Sequence, residues 1–144
     1  MAMSQQNGEV VKSDMSQQNV DLVRSICAPW EHGDFNSVEW AHPEIELVIK
    51  DGPMPGRWTG IAGMAEGWRN CLTAFEDLHA KPEAYLEMDE GRVLVPLHNT
   101  GRGRASGVEL GQVQSKGANL FHVRGGRVTK LVIYFNRENV TAND

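Results

Sequence analysis

The second half of the chain alternates between apolar and polar residues over successive short segments. These segments are Ala84–Met88, Val93–Thr100, Arg104–Ser115, Ala118–Arg124 and Val128–Asn136. Turn-forming residues separate several of them, at 89–91, 101–103 and 125–126. Alternation with a period of two is typical of β-strands that bury one face, and a Gly-Gly pair between two such runs favours a hairpin. The sequence therefore predicts a series of β-strands over everything after His79.

The first half of the chain shows helical periodicity instead. One apolar face predicts a first helix that ends near Gly33, formed by Val20, Val23, Ile26, Cys27 and Trp30. Another predicts a long helix that starts near Thr59, formed by Ile61, Met64, Ala65, Trp68, Leu72 and Phe75. Between them we expect a short helix over Asn36–Ala41, a strand over Glu44–Ile49 and a loop at Asp51–Gly56.

Helices that precede a run of strands indicate an α+β fold, with helices packed on one face of a curved antiparallel sheet. The chain of 144 residues is long enough for one domain, which we expect over residues 15–144. The peptide Met-Ser-Gln-Gln-Asn occurs at 3–7 and again at 15–19, and residues 1–14 are polar. We therefore expect residues 1–14 to be a flexible leader.

Composition and motifs exclude several classes of function. Nineteen acidic residues outnumber fourteen Lys and Arg, which argues against a nucleic-acid-binding surface. No apolar run is long enough to span a membrane and no secretory signal is visible, so we expect a cytoplasmic protein. Neither a phosphate-binding loop nor a cluster of Cys and His is present, and no cofactor or metal is implied. Cys27 and Cys71 fall in helical apolar patterns and are expected to be reduced core residues.

Three segments give the chain a family resemblance. They are Trp30–Phe35, Val48–Pro53 running on to Gly60, and Tyr134–Asn139. With the order of predicted elements, they resemble the NTF2-like superfamily over about residues 18–138, and most closely its ketosteroid-isomerase-like and SnoaL-like (polyketide cyclase) domains. The resemblance implies a cone-shaped fold around a pocket. It also implies cofactor-independent proton transfer on a hydrophobic carbonyl compound.

The resemblance also implies catalytic residues. Asp51 stands nine residues before Gly60, where the isomerases have a general base, and Asn119 stands near their second oxyanion donor. Ile26 occupies the position of their catalytic tyrosine and cannot donate a hydrogen bond. From the residues alone, Asp51 has a second interpretation, because Asp is favoured at the start of an Asp-Gly-Pro turn.

His98 has two interpretations that depend on which face of its strand is interior. Val93, Val95 and Leu97 alternate with the set that contains His98. If the face of His98 lines the cone, this side chain lies beside Asn119 and acts as an acid or base near neutral pH. Otherwise it lies on the outer face of the sheet, at an interface. The enzymatic interpretation requires Asp51, Asn119 and His98 to share one cavity.

Aromatic residues indicate the character of the pocket. The candidates for ligand binding are Trp30, Phe35, Trp58, Trp68, Phe121 and Phe135. Such a lining favours a flat, apolar ligand such as a polycyclic carbonyl compound. Ordinary packing in the core explains most of the same residues.

The last predicted strand is apolar on both sides. Leu131, Ile133 and Phe135 lie on one face, and Val132 and Tyr134 lie on the other. A sheet with helices on one face only must bury the second face elsewhere, so we expect a homodimer. Two functions remain open: an isomerase- or aldol-cyclase-like enzyme without a cofactor, or a non-catalytic dimer that binds a ligand or serves a structural role.

Overall fold

A computed structural model describes the backbone of residues 2–89, 91–105 and 108–144, and the side chains of residues 17–89, 91–103 and 114–144. The helices are α1 (Ala2–Glu31) and α2 (Gly60–Thr73). The strands are β1 (Ala41–Ile49), β2 (Gly56–Thr59), β3 (Phe75–Pro82), β4 (Leu86–Asp89), β5 (Arg92–Ala105), β6 (Val108–Arg124) and β7 (Arg127–Tyr134). A short 3-10 turn, Arg137–Asn139, follows β7.

The seven strands form one sheet in the order β2-β1-β7-β6-β5-β3, and β4 also pairs with β5. The sheet is curved and unclosed, and both helices pack on it, which confirms the predicted α+β class. It is mixed rather than wholly antiparallel, because β1 and β7 pair in parallel. Alternation in a sequence reveals a strand but not its partner or direction, so this pairing was not foreseeable.

The inner face of the sheet forms the main core. Val93, Phe121, Leu131 and Leu47 are cross-strand neighbours on β5, β6, β7 and β1. All four have no exposed surface, and burying each side chain contributes about 1.5–3 kcal/mol. The predicted faces of the helices cover this row, with Val23, Ile26, Cys27 and Trp30 from α1 and Met64, Trp68 and Cys71 from α2. The predicted face of α1 is thus confirmed. For α2 the prediction holds at Met64 and Trp68 but is wrong at Phe75, because the helix ends at Thr73 and Phe75 begins β3.

The outer face of the sheet is partly covered by the end of the same chain. Leu94, Leu120, Val132 and Val48 form an adjacent cross-strand row on this face. With Tyr134 they make a second apolar cluster, against which Val140 packs. We expected a second copy of the chain to cover the outer apolar face of the sheet. Part of that face is instead buried by residues of the same chain.

Polar contacts fasten this terminal segment to the sheet. The Lys50 ammonium lies 2.9 Å from the Asp144 carboxylate, which also accepts hydrogen bonds from the hydroxyls of Tyr134 and Thr141. The imidazole of His122 is 2.8 Å from the backbone oxygen of Asp144. Because these contacts come from β6, β7 and the residue that follows β1, the segment is held across neighbouring strands of the sheet.

The first helix ends close to where the sequence predicts. Gly33 adopts a left-handed conformation (φ 83°), and its amide donates to the Trp30 carbonyl at 3.1 Å. Glycine accepts this conformation without steric cost, which explains why it terminates the helix. Because α1 runs through residue 14 without a break, the proposed division between a leader and a domain stays a prediction.

The predicted helix over Asn36–Ala41 is wrong. Residues 34–38 have no regular structure, and Ala41 already begins β1. The Asp34 carboxylate accepts a hydrogen bond from the amide of Asn36 at 3.1 Å, which favours a turn over a helix. A six-residue helix also has few hydrogen bonds to offset the cost of its nucleation.

The predicted turn at residues 101–103 is also wrong, because β5 continues through it to pair with β3. A Cβ atom on Gly101 would lie 3.2 Å from the carbonyl oxygen of Glu76. This glycine permits close approach of the irregular β3 strand rather than a reversal of the chain. The predicted segments Arg104–Ser115 and Ala118–Arg124 likewise belong largely to one strand, β6.

Among the described residues, neither helix is long and apolar enough to cross a membrane.

Candidate ligand-binding site

An interior cavity lies between the helices and the inner face of the sheet. Its lining comes from both helices, from β3, β5, β6 and β7 and from the segments that follow α1 and β7: Trp30, Phe35, Trp68, Cys71, Leu78, Ala80, Asn99, Asn119, Ile133 and Phe135. The free space is about 20 Å³, which is room for about one water molecule. A larger ligand therefore enters only if side chains of the lining move.

Four of the six aromatic residues predicted to bind a ligand lie in this lining: Trp30, Phe35, Trp68 and Phe135. The Trp30 ring lies 5.8 Å from the Phe35 ring and 5.2 Å from the Trp68 ring, between ring centroids. These distances are typical of favourable aromatic pairs. The walls of the cavity therefore consist mostly of flat, apolar surfaces.

The other two aromatic candidates lie outside the lining. Phe121 is fully buried and stacks on Trp30, 6.0 Å between ring centroids. Trp58 packs against α2, where its ring leaves no room for a Cβ atom on Gly67. Both side chains pack with residues of the core or of α2, which matches the alternative interpretation of the aromatic set.

Two buried amides give the cavity its polar character. Asn119 is 4% exposed and Asn99 is 9% exposed, and they are the buried polar residues of the described part of the chain. The amide of Asn99 donates to the hydroxyl of Ser115 at 3.2 Å. Asn119 lies directly between Val95 and Ile133 in the sheet, on the inner face. The sequence-predicted donor is thus inside the molecule.

The indole N–H of Trp68 is buried and has no hydrogen-bond partner among the described protein groups. A buried donor without an acceptor costs about 1–3 kcal/mol, and such groups are rare in folded proteins. Because Trp68 also lines the cavity, this N–H is a candidate donor to an oxygen atom of a ligand.

The sequence analysis did not single out Asn99. Asn99 continues the series of every second residue that begins with Val93, Val95 and Leu97. These three side chains are buried on the inner face. The alternation was therefore visible, but it did not tell which of the two faces is interior. That choice depends on where the helices pack.

Asp51 lies in the turn after β1 and holds the segment after β7. Its carboxylate accepts hydrogen bonds from the amides of Phe135 at 2.5 Å and Asn136 at 3.1 Å, and from the side chain of Asn139 at 2.6 Å. Asp51 is not part of the cavity lining, whereas Phe135 is. The ring of Phe135 packs against Gly52, where a Cβ atom would be 2.4 Å from the ring.

His98 lies on the opposite face of the sheet from Asn119. It alternates with the buried residues Leu97 and Asn99, and its cross-strand neighbours are Lys81 and Lys116. A role for His98 as an acid or base beside Asn119 requires both side chains to face the cavity, and His98 faces away from it. Of the three residues predicted to be catalytic, only Asn119 lines the described cavity.

The two cysteines are unreactive in this structure. Burial raises the pKa of the Cys71 thiol to about 11 and that of the Cys27 thiol to about 12. Both are therefore protonated at neutral pH, although Cys71 lines the cavity. A nucleophilic thiolate is not available there.

An external cleft, which we term the α2 cleft, adjoins the cavity. It has a volume of about 450 Å³ and is lined by Phe35, Asn36, Val38, Ala65, Trp68, Arg69, Leu72, Thr73 and Phe75. A second surface cleft of about 290 Å³ lies beside it, next to β3. Phe35 lines both clefts and the interior cavity.

The sequence model of the SnoaL-like domain matches residues 23–131, which is more than half of the chain. The chain belongs to the SnoaL-like domain family. Among curated proteins, none matches this sequence. The matched range includes the end of α1 from Val23, all of α2 and most of the sheet, so this SnoaL-like domain contains most of the elements that bound the cavity.

Solved structures show the same fold. A proposed polyketide cyclase from Xanthomonas campestris pv. campestris is 21% identical, with a TM-score of 0.70 over 85% of this chain and 93% of that chain. A proposed SnoaL-like polyketide cyclase from Jannaschia sp. CCS1 is 18% identical, with a TM-score of 0.69 over 82% and 85%. TerC, crystallised with polyporic acid, is 19% identical, with a TM-score of 0.67 over 83% and 92%. At these identities the SnoaL-like domain shares a fold with them, and its function has to be argued from its own site.

Proposed function

We propose that this SnoaL-like domain binds a small, largely apolar molecule that presents an oxygen acceptor inside the interior cavity. The observation that carries the proposal is the buried indole N–H of Trp68, which has no partner among the described protein groups and belongs to a residue of the lining. An acceptor atom of a ligand satisfies this donor and removes the cost of leaving it unpaired.

The rest of the lining supports the same ligand chemistry. Rings of Trp30, Phe35 and Phe135 offer flat apolar contact, and the amides of Asn99 and Asn119 offer further hydrogen bonds. A mostly apolar pocket with a few convergent polar groups is the usual form of a small-molecule site. TerC, a protein of the same fold, was co-crystallised with polyporic acid, which adds a precedent for ligand binding by this fold.

Ligand binding is tested by removing the indole N–H while keeping an aromatic ring. The Trp68→Phe variant and the wild type are titrated calorimetrically with 2-acetylnaphthalene, a planar ketone with one oxygen acceptor. We expect about tenfold weaker binding by the variant, the equivalent of one hydrogen bond. Trp40→Phe is the matched control, because the indole N–H of Trp40 already donates to the Ser37 carbonyl and lies outside the lining. No binding by the wild type, or equal binding by Trp68→Phe, rejects the proposal.

A second candidate is proton transfer on a bound carbonyl compound, with Asp51 as the base. Asp51 and Asn119 do not share the described cavity, so this candidate requires the lining to open towards Asp51. It is favoured by one contact, the hydrogen bond from the Phe135 amide to the Asp51 carboxylate. This contact places the carboxylate next to the backbone of a residue whose side chain lines the cavity. In this scheme Asp51 removes a proton from the carbon next to the carbonyl, and Asn119 donates to the enolate oxygen. His98 has no part in it, because it lies on the outer face of the sheet.

Deuterium exchange separates catalysis from binding alone. Incubation of 2-acetylnaphthalene with the protein in heavy water replaces the methyl protons of the ketone if Asp51 removes and returns them, and NMR follows the loss of their signal. We expect exchange above the buffer rate by the wild type and not by Asp51→Asn. Binding without exchange supports the non-catalytic alternative, a ligand-binding dimer.

We also propose that the domain forms a homodimer through the part of the outer face that its terminal segment does not cover. The outer row that begins at Val48 extends through Leu94 to Leu86 on β4. Leu86 is 45% exposed and Met88 is 46% exposed, so apolar surface remains at this end of the row. A second copy that packs there would bury it. The cytoplasmic location stays a prediction from the sequence.

A further inference from the structure

Phe35 separates the interior cavity from the α2 cleft. Its side chain lines both spaces, together with Trp68, and also the neighbouring cleft beside β3. No other residue belongs to all three linings among the described cavities. A change in the rotamer of this one ring would therefore join the cavity to the outside.

The segment that carries Phe35 is suited to such a movement. Residues 34–38 are outside any helix or strand, and Phe35 is only half-buried. Its ring is held by two aromatic contacts, with Trp30 and Trp68, each 5.8 Å between centroids. Such a pair contributes about 0.5–1.5 kcal/mol beyond area burial, which an incoming aromatic ring can replace.

The lining of the α2 cleft contains one positively charged side chain. Arg69 is the single Lys or Arg in the linings of the described cavities, and the lining of this cleft contains neither Asp nor Glu. Asn36 and Thr73 are its other polar side chains, and the remaining lining residues are apolar. The cleft therefore offers one guanidinium beside an aromatic and aliphatic surface.

A guanidinium in this setting selects for a carboxylate. Its planar fork of N–H donors matches the two oxygens of a carboxylate, and the pair forms shorter and stronger hydrogen bonds than neutral groups do. The chain as a whole carries a net charge of −5, so it gives an anion no general attraction. Local recognition by Arg69 is then what would retain an anionic ligand.

We propose that the α2 cleft and the interior cavity are two compartments of one ligand site, divided by Phe35, and that the ligand is a planar aromatic carboxylate whose carboxylate group binds Arg69. The inference rests on the proposed binding function and adds the charge and the entry route of the ligand. The aromatic body displaces the Phe35 ring and reaches Trp68, which belongs to both compartments.

Two matched probes test the charge of the ligand. 2-Naphthoate is ionised at neutral pH, whereas 2-acetylnaphthalene has a similar shape and no charge. We expect the wild type to bind 2-naphthoate more tightly, and Arg69→Gln to weaken 2-naphthoate binding about tenfold while changing 2-acetylnaphthalene binding less than about twofold. Arg127→Gln is the control, because Arg127 is exposed at the β6–β7 hairpin and lies outside the linings.

The outcomes distinguish the two proposals. If neither probe binds to the wild type, the binding function itself is overturned. If both bind and Arg69→Gln weakens them equally or not at all, the cavity binds ligands but the carboxylate assignment to Arg69 is wrong. Loss of 2-naphthoate affinity in Arg127→Gln as well would assign the effect to net charge and overturn the specific role of Arg69.

The Phe35→Ala variant tests the partition. Stopped-flow tryptophan fluorescence measures the association rate of 2-naphthoate, and circular dichroism checks that the variant is folded. We expect at least a severalfold faster association, because the ring no longer has to move aside. An unchanged association rate in the folded variant overturns the division by Phe35.

Discussion

At the scale of single residues, Asp51 joins two distant parts of the chain. It follows β1, yet it accepts three hydrogen bonds from residues 135–139, which follow β7. An ionised carboxylate has about four positions for accepting hydrogen bonds, and three are occupied here. Asp51 therefore stabilises the segment that carries Phe135, which is a residue of the cavity lining.

Asp51→Asn should reduce stability as well as any proton transfer. The amide group that replaces one carboxylate oxygen cannot accept, so at least one N–H loses its partner at a cost of about 1–3 kcal/mol. Urea denaturation gives the free energy of unfolding. Asp21→Asn is the control, because Asp21 is exposed and its carboxylate accepts a hydrogen bond from Gln17 of its own helix. Equal stability of Asp51→Asn and the control would contradict this role.

The Asp144 carboxylate provides a pH-dependent contact with the outer face. Burial acts to raise its pKa, but hydrogen bonds from Tyr134, Lys50 and Thr141 outweigh burial and lower the pKa to about 2. The unfolded value is near 3.8. The stabilising contribution is therefore complete above about pH 4 and is lost as the pH falls towards 2.

Comparison with Asp144→Asn isolates this contribution. We expect the wild type to be more stable than the variant at pH 7, and the difference to shrink as the pH falls from about 4 to 2. Unfolding free energies measured at several pH values check it, and other carboxylates cancel in the difference. A difference that does not change over this range would show that the carboxylate does not fasten the segment.

At the scale of elements, glycines set how closely α2 approaches the sheet. A Cβ atom on Gly67 would lie 2.6 Å from the Trp58 ring and 3.0 Å from Leu47, which is fully buried. A Cβ atom on Gly63, one turn earlier, would lie no closer than 3.6 Å to any neighbour. The same helix therefore contains one glycine that packing requires and one that it does not.

The two alanine variants should change stability in opposite directions. Gly63→Ala should raise the free energy of unfolding by about 0.5–1 kcal/mol, because alanine is the better helix former. Gly67→Ala should lower it by about 1–3 kcal/mol, because the Trp58 ring must shift. Thermal and urea unfolding of both variants measure the difference. Stabilisation by Gly67→Ala would mean that α2 is not held this close to the sheet.

Elements were predictable where local pattern and long-range packing agree. The periodicity of Val23, Ile26 and Trp30 identified the buried face of α1, and the alternation around Leu131 and Ile133 identified β7 as a strand that is apolar on both faces. Prediction failed at Gly101, where a glycine that suggests a turn instead allows β3 to approach. A turn and the close approach of a second strand both depend on the same property of glycine, its lack of a Cβ atom. The presence of a glycine therefore does not tell which of the two structures it allows.

At the scale of the whole molecule, the outer face of the sheet is shared between the terminal segment and solvent. Residues near Val140 cover the cluster around Tyr134, whereas Leu86 and Met88 stay exposed on β4. The need to bury a second apolar face is thus met partly within one chain. What remains for a second copy is a smaller area at one end of the row.

The homodimer is tested by charges placed on that area. We expect sedimentation velocity to give twice the mass of the chain for the wild type and a shift to monomer for Leu86→Glu/Met88→Glu, with stability nearly unchanged. Met54→Glu is the control, because Met54 is 43% exposed but lies in the loop after β1. A monomeric wild type, or a double variant that remains dimeric, rejects the interface.

By itself, the sequence determined the types of most elements, the α+β class, the family resemblance and most of the aromatic residues around the cavity. These depend on periodicity and on residue type, which are local properties. Only the tertiary structure decided that Asn99 faces inward and His98 outward, that Asp51 binds the segment after β7, and that β1 pairs with β7. Each of these depends on which distant segment packs against a face. Alternation makes two faces distinct, but only the helices that cover one of them make it the interior.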